Sequence, residues 1–421
     1  MKASTSYHIH HLNLSHGLPL PDLLDMEQGQ YLVFWWKSLA LGHVFLESRS
    51  GLTLAQLLLK VSAALKPAVE MYVAQSGLPK TSWRLWMEQG KQEKWLPYFQ
   101  DVFQEAIPQE VPATVPISVV ICTCNRAPQL QQCLDRLLQL TCLPEEIIVV
   151  DNAPKDNASQ EVVEQYPSVR YVRESRMGLD VARNTGARQA SLPVVAYVDD
   201  DVTVHPVWAY YVWESFQNPD VAALTGLVLA SHLKSEAQCI FEKHWSFNRG
   251  FVEKVYDTYY FKSTLPKGPP VWEIGAGANM AFRREVFQEV GYFDELLDAG
   301  AAGCNGDSEM WYRLLAKGFT ILYNPKAIVF HEHRENVQEL KRQIFFYMRG
   351  HAVAALKQHR YHKAGYPQYL TKLLLVSYSR LAIRGFPHYS FQYQTLWAQV
   401  TGLLSGLAFY LKHTRHWNQK P

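Results

Sequence analysis

From Ile117 onward, short apolar runs alternate with helical patterns, and this alternation constrains the chain more than any other feature. Ile117–Cys122, Ile147–Val150, Val169–Val172 and Val194–Val198 are four to six residues long and rich in Val and Ile, as strands buried on both faces require. Between them, Gln129–Leu140 places Leu130, Leu134, Leu137 and Leu138 on one helical face, and Ser159–Gln165 and Leu179–Ala190 also read as helices. Strand–helix alternation predicts an α/β domain with a mostly parallel, Rossmann-like sheet and helices on both faces. Ligands of such sheets bind beyond the carboxyl ends of the strands. Thr123–Arg126, Asp151 and Asp199–Asp201 all fall at such ends.

The run Val194–Val198 leads directly into Asp199-Asp200-Asp201. Three successive carboxylates repel one another, and a hard divalent cation such as Mg²⁺ or Mn²⁺ relieves that repulsion through oxygen ligands. In extended chain, residues two apart share a face, so Asp199 and Asp201 can point into one site. The bland alternative is a solvated acidic turn closing a strand.

At 421 residues the chain is long enough for two or three domains. A net charge of +2 gives no reason to expect a nucleic-acid partner. The six cysteines include Cys122-Thr-Cys124, which lacks the two-residue spacing of a zinc or thioredoxin motif. They read as buried thiols of a reducing compartment. Met1–Leu20 has scattered His and no apolar core, so it does not read as a signal peptide. No segment is a clear membrane span, because Gly385–Leu411 is interrupted by Pro387, Gln and Ser/Thr.

Three regions separate. Residues 1–110 read as an α+β accessory domain. Gln30–Trp36 and Gly42–Glu47 form a hairpin there, Leu52–Val73 is a helix kinked or broken at Pro67, and helical chain follows to Glu110. Val111–Pro116 is the expected linker. Residues 111–335 hold the α/β domain, and 336–421 a helical extension. In the extension, Arg380, Arg384, Lys412 and Arg415 flank apolar residues, and Gly402-Leu-Leu-Ser-Gly406 is a small-xxx-small motif. Two readings stand: an interfacial helix making peripheral contact with the inner membrane face, or helix packing onto the α/β domain. The aromatic segment Cys239–Val271 reads either as a loop covering a bound ligand or as a helix pair covering the sheet.

Several motifs in order carry a family resemblance. They are Pro116-Ile-Ser-Val-Val-Ile-Cys-Thr-Cys-Asn-Arg126, Val149-Val-Asp151-Asn152 and Gly178-Leu-Asp-Val-Ala-Arg183-Asn184-Thr-Gly186. Asp199-Asp-Asp201, Gly275-Ala-Gly-Ala-Asn279, Gly291-Tyr-Phe-Asp294 and Gly306-Asp307-Ser-Glu309-Met-Trp-Tyr-Arg313 follow. Over Pro116–His333 the chain resembles glycosyltransferase family 2, of the GT-A fold and bacterial type. The resemblance implies an inverting, metal-dependent enzyme of the cytoplasm. Such an enzyme moves a sugar from a nucleotide-diphosphate donor, UDP-sugar by default, to an acceptor hydroxyl on a glycan or lipid-linked acceptor. A non-catalytic relative that binds nucleotide or carbohydrate is the alternative. A nucleotidyltransferase would open with a Gly-rich loop, which Thr123–Arg126 lacks.

The resemblance also implies roles. Asp307 is the catalytic base, with Glu309 as its competitor; Gly306 departs from the Glu common at that place. Thr123, Asn125, Arg126, Asp151, Arg183, Asn184, Asp199, Asp200, Gly277 and Asn279 form the donor site. For Arg126 and Arg183 the other reading is a structural salt bridge. Asp201, Asp199 and His331 hold Mn²⁺ or Mg²⁺, although His331 could instead close a strand and bond to backbone.

Overall fold

A computed structural model describes residues 5–18, 28–298 and 301–413. The twelve strands described are β1 Tyr7–Asn13, β2 Gly29–Trp36, β3 Leu39–Leu46, β4 Thr114–Thr123, β5 Leu143–Asn152 and β6 Val169–Glu174, followed by β7 Val194–Asp199, β8 Val202–Val204, β9 Val221–Ala230, β10 Lys254–Tyr256, β11 Asn279–Arg283 and β12 Thr320–His331. The large sheet runs β10-β12-β9-β11-β7-β4-β5-β6, with β8 on β12.

The four strands expected from the sequence are β4 to β7, and they pair in parallel. Helices Ala127–Leu137, Ala158–Val163 and Leu179–Gln189 connect them. Beyond β7 the sheet becomes mixed. β11 lies antiparallel between β7 and β9, whereas β9 and β12 are parallel. All ten residues of β9 are buried, as a central strand covered on both faces requires.

Several local expectations need correction. The expected linker Val111–Pro116 is partly strand: Thr114 and Val115 pair with Leu143 and Pro144. Pro67 does not break the helix, which runs from Leu54 to Ser76 under a Thr53/Gln56 capping box. Asn324-Pro325 has the composition of a turn, yet β12 continues through it with a bulge. Asn279 is the reason that bulge holds. Its side-chain amide donates to Leu227 O and Ala327 O, and its carbonyl accepts from Trp208 Nε1 at 2.9 Å.

The N-terminal hairpin β2–β3 forms as expected, and β1 adds to it in parallel. Tyr31, Val33 and Trp35 of this sheet share a core with Leu227, Leu229 and Ile328 of the large sheet. At the other end of the chain, helix Leu396–Lys412 packs on helix Val337–His362. A Cβ on Gly402 would sit 2.4 Å from Phe345 O, and one on Gly406 2.4 Å from Arg349 O, so the small-xxx-small motif serves close helix contact. Helix Glu236–His244, β10 and helix Thr258–Thr264 form the Cys239–Val271 segment, with Phe241, Tyr256 and Phe261 in the core. Arg415 lies outside the described residues, as do parts of Met1–Leu20; Tyr7–Asn13 of that stretch is β1.

Replacing Asn279 by Ala strands a buried indole N–H and two buried carbonyls. The expected cost is about 2–4 kcal/mol of unfolding free energy, read as a lower urea midpoint.

Candidate active site

The pairing of β8 with β12 builds the centre of the site. It sets His331 opposite Val202, one residue from Asp201, and Glu332 N donates to Asp201 O. One ligand atom each from Asp199, Asp201 and His331 lies within 4.8 Å of the others. Asp201 Oδ1 is buried without a hydrogen-bond partner, and His331 Nε2 stands 3.5 Å from it. Burial lowers the His331 pKa to about 4, so its imidazole is neutral at physiological pH. Burial alone would raise the Asp201 pKa, but the Arg126 guanidinium bonded to it holds it below the ordinary value. Two carboxylates, a neutral imidazole and an unpaired buried oxygen fit a divalent cation such as Mn²⁺.

The other two aspartates of the turn differ in surroundings. Asp200 accepts from Thr123 Oγ1 at 2.8 Å and from Arg126 at 2.6 Å, while the second Arg126 nitrogen reaches Asp201 Oδ2 at 2.9 Å. Burial pushes Asp200 up to about 7 against the pull of Arg126. Asp199 is only half-buried and faces Arg183 at 3.9 Å.

Arg183 reaches across the site. It bonds Asp180 at 3.1 Å, and a Cβ on Gly277 would meet its guanidinium at 2.5 Å. Gly277 N in turn donates to Asp307 Oδ2 at 2.8 Å. Asp307 is the second residue of helix Gly306–Ala316, where a carboxylate is favoured by the helix dipole. Glu309 has a different setting. It is 1% exposed and paired with Arg313 at 2.7 Å and Lys357 at 2.8 Å. Although burial opposes ionisation, these two cations hold its pKa down at about 2.

These groups open on one cavity of about 980 Å³. Thr123, Arg126, Arg183, Asp199, Asp200, Asp201, Gly277, His331 and Asp307 all line it. Asn125, Asp151, Asn184 and Asn279 are not part of its lining. Asn125 accepts from Lys155 N in the turn after β4. Asp151 is fully buried beneath the site and accepts from Tyr171 OH. Asn184 exchanges two hydrogen bonds with the backbone of Phe293, and Asn279 serves the bulge.

Other residues were not legible from motif spacing. Asp298 accepts from Leu179 N and Asp180 N, capping helix Leu179–Gln189 from 118 or more residues away. Asp180 also lines the cavity, and burial raises its pKa to about 7. A Cβ on Gly306 would lie 2.0 Å from its carboxylate, which explains why glycine stands before Asp307. Behind His331, its Nδ1 meets His333 Nδ1 at 3.2 Å, and His333 Nε2 meets Glu242 at 3.0 Å. Tyr31 OH of β2 donates to the same Glu242. Helix Val337–His362 and the segment after it supply the far wall through Arg342, Phe346, His351, Tyr369 and Tyr378.

Residues 118–291 match the family described as Glycosyl transferase family 2. The chain is a glycosyltransferase, and residues 118–291 are the part of it that is similar to family 2. It is 26% identical to a glucosyl-dolichyl phosphate glucuronosyltransferase of Haloferax volcanii, over 51% of this chain and 68% of that protein. It is 28% identical to a chondroitin synthase of Escherichia coli, over 51% of this chain and 34% of that protein. A mannosyltransferase from Pyrobaculum calidifontis, solved with GDP-Man and Mn²⁺, superposes with a TM-score of 0.44 at 15% identity, covering 84% of this chain and 99% of that one.

The Glu309 pairs make a pH prediction. Because its folded pKa of about 2 lies below the ordinary 4.5, its stabilisation is complete above about pH 4.5 and is lost as pH falls toward 2. Its size is roughly 3 kcal/mol. Urea unfolding of Glu309→Gln and the parent chain should differ most near neutral pH and converge in acid.

Proposed function

We propose that this glycosyltransferase is inverting and metal-dependent, with a nucleotide-diphosphate sugar as donor and a hydroxyl of a glycan or lipid-linked glycan as acceptor. One observation carries the reading: a cation-ready trio, Asp199, Asp201 and His331, shares a cavity with the independently held carboxylate of Asp307. When bound, Mn²⁺ or Mg²⁺ supplies Lewis-acid stabilisation of charge on the leaving diphosphate. Asp201 and His331 hold it, with Asp199 either sharing in this or accepting from the nucleotide. Arg126 keeps Asp200 and Asp201 in place. Arg183 and Arg342 present guanidinium groups toward the anionic donor.

In this reading Asp307 takes the proton from the acceptor hydroxyl as that oxygen attacks the anomeric carbon. Gly277 N holds one carboxylate oxygen in position. Glu309 is committed to Arg313 and Lys357, which favours Asp307 over it. A single base without a covalent intermediate corresponds to inversion. The acceptor occupies the wall made by the C-terminal extension. Tyr378 OH, His351 Nε2 and Gln343 Oε1 are buried there without partners, as the hydroxyls of a sugar require, and Trp272 and Tyr369 line the same wall.

We further propose three units, 1–110, 111–335 and 336–421, working in the cytoplasm. The six cysteines are unpaired, and no helix among the described residues is long and apolar enough to cross a membrane. The first unit supports the metal ligand His331 through Tyr31 and Glu242.

Binding of a panel of nucleotide sugars, measured by calorimetry with Mn²⁺ and with Mg²⁺, tests the donor assignment; no binding in any combination overturns it. Asp201→Ala should abolish metal-stimulated turnover while leaving the thermal midpoint within a few degrees of the parent. Asp307→Asn should bind donor normally and lose transfer by about 10²–10⁴-fold; undiminished turnover would place the base elsewhere. Glu242→Gln should weaken Mn²⁺ affinity by about 10–100-fold, measured by metal titration.

A further inference from the structure

The charge of this chain is divided unevenly along its length. Glu339 is the last acidic residue: the 82 residues after it hold twelve Lys and Arg and no Asp or Glu, while the preceding part carries ten more acids than bases. The near-neutral total conceals this division. Beyond Glu339 the extension holds no Asp or Glu to neutralise its cations.

The same extension leaves large apolar side chains in solvent. Leu375, Ile383 and Phe386 are 69%, 77% and 73% exposed, along the π turn Leu373–Ser377 and helix Tyr378–Gly385. Arg380 and Arg384 are exposed beside them. Helix Leu396–Lys412 packs against that helix. It buries Gly402, Leu403 and Gly406 on the Val337–His362 side. Trp397, Leu404 and Leu411, spaced by seven, face the solvent. No charged residue occurs between Arg384 and Lys412. Helices apolar on both faces are ordinarily covered on both, and grouped exposed aliphatics mark an interaction surface.

We propose that this face, carried by helices Tyr378–Gly385 and Leu396–Lys412, seats on an anionic lipid bilayer surface. Aliphatic and Trp side chains enter the headgroup–acyl boundary while Arg380, Arg384 and Lys412 meet anionic headgroups. Charge complementarity selects this occupant. A second copy meeting it through the same face would oppose cation to cation. A nucleic acid would satisfy the cations and leave Leu375, Ile383 and Leu404 unused. The contact lies on the bilayer rather than through it, since no described helix is long and apolar enough to span. Leu373 and Tyr378 of the same segment line the cavity, so one side of the segment serves the site and the other is free for the surface. The proposal does not depend on the catalytic reading.

The test is vesicle flotation of the full chain at near-physiological salt. One vesicle set is phosphatidylcholine alone; the other includes about 30 mol% phosphatidylglycerol, enough for a strongly negative surface. The chain should float with the anionic vesicles and stay behind with the neutral ones. Arg380→Gln with Arg384→Gln, and separately Ile383→Glu with Leu404→Glu, should each reduce binding by about tenfold or more. All four positions are exposed, so circular dichroism and thermal midpoint should match the parent, and only variants that match are counted. A parent chain that ignores anionic vesicles overturns the proposal. So does undiminished binding by both variant pairs, or capture by poly(U) RNA in place of vesicles.

Discussion

The Arg183 guanidinium is the contact on which the acidic edge of the sheet depends. Asp180, Asp199 and Asp307 all act on it, and it is itself almost fully buried. Gathering carboxylates in a low-dielectric site is costly unless a cation is placed among them. Arg183 meets that need from helix Leu179–Gln189, whose N-terminus is fixed by Asp298. Gly277 and Gly306 are glycines for the same reason: a Cβ on the first would strike Arg183, and on the second Asp180. Arg126 plays the matching part for Asp200 and Asp201.

A line of hydrogen bonds runs away from this edge and joins it to the first part of the chain. His331, His333, Glu242 and Tyr31 follow one another from the end of β12 into β2. The N-terminal sheet is therefore tied to the imidazole that faces Asp201, as well as sharing a core with β9 and β12. The C-terminal helices close the cavity from the opposite side. Residues beyond the region matching family 2, which ends at residue 291, line the cavity, while the N-terminal flank reaches it through Tyr31 and Glu242.

Much of the fold was legible where the pattern is local. β4 to β7 are short apolar runs rich in Val and Ile and bounded by polar turns, and length with composition locates them. β1 was not legible, because its alternation of His with Ile and Leu resembles a polar tail until β2 pairs with it. β8 and β10 have three residues each, too few for a period. Asn324-Pro325 has turn composition, yet Asn279 holds it within a strand. Asp199, Asp201, Arg183, Gly277 and Asp307, which the motifs singled out, line one cavity. Asn125, Asn184 and Asn279 carry the same motifs, but their amides are used by nearby backbone or by Trp208. Asp180, Asp298 and Glu242 gave no signal, because each acts through a partner distant in sequence or through burial.

The sequence by itself determined the alternating sheet, the acidic residues at its strand ends and the family resemblance, because periodicity and motif order are written in neighbouring residues. Only the tertiary structure decided which carboxylate keeps a free oxygen and which is consumed. Asp201 retains Oδ1, whereas Asp200 is held by Thr123 and Arg126, and Glu309 by Arg313 and Lys357. That choice depends on burial and, apart from the i,i+4 pair of Glu309 with Arg313, on partners 48 to 77 residues away, which no local pattern records.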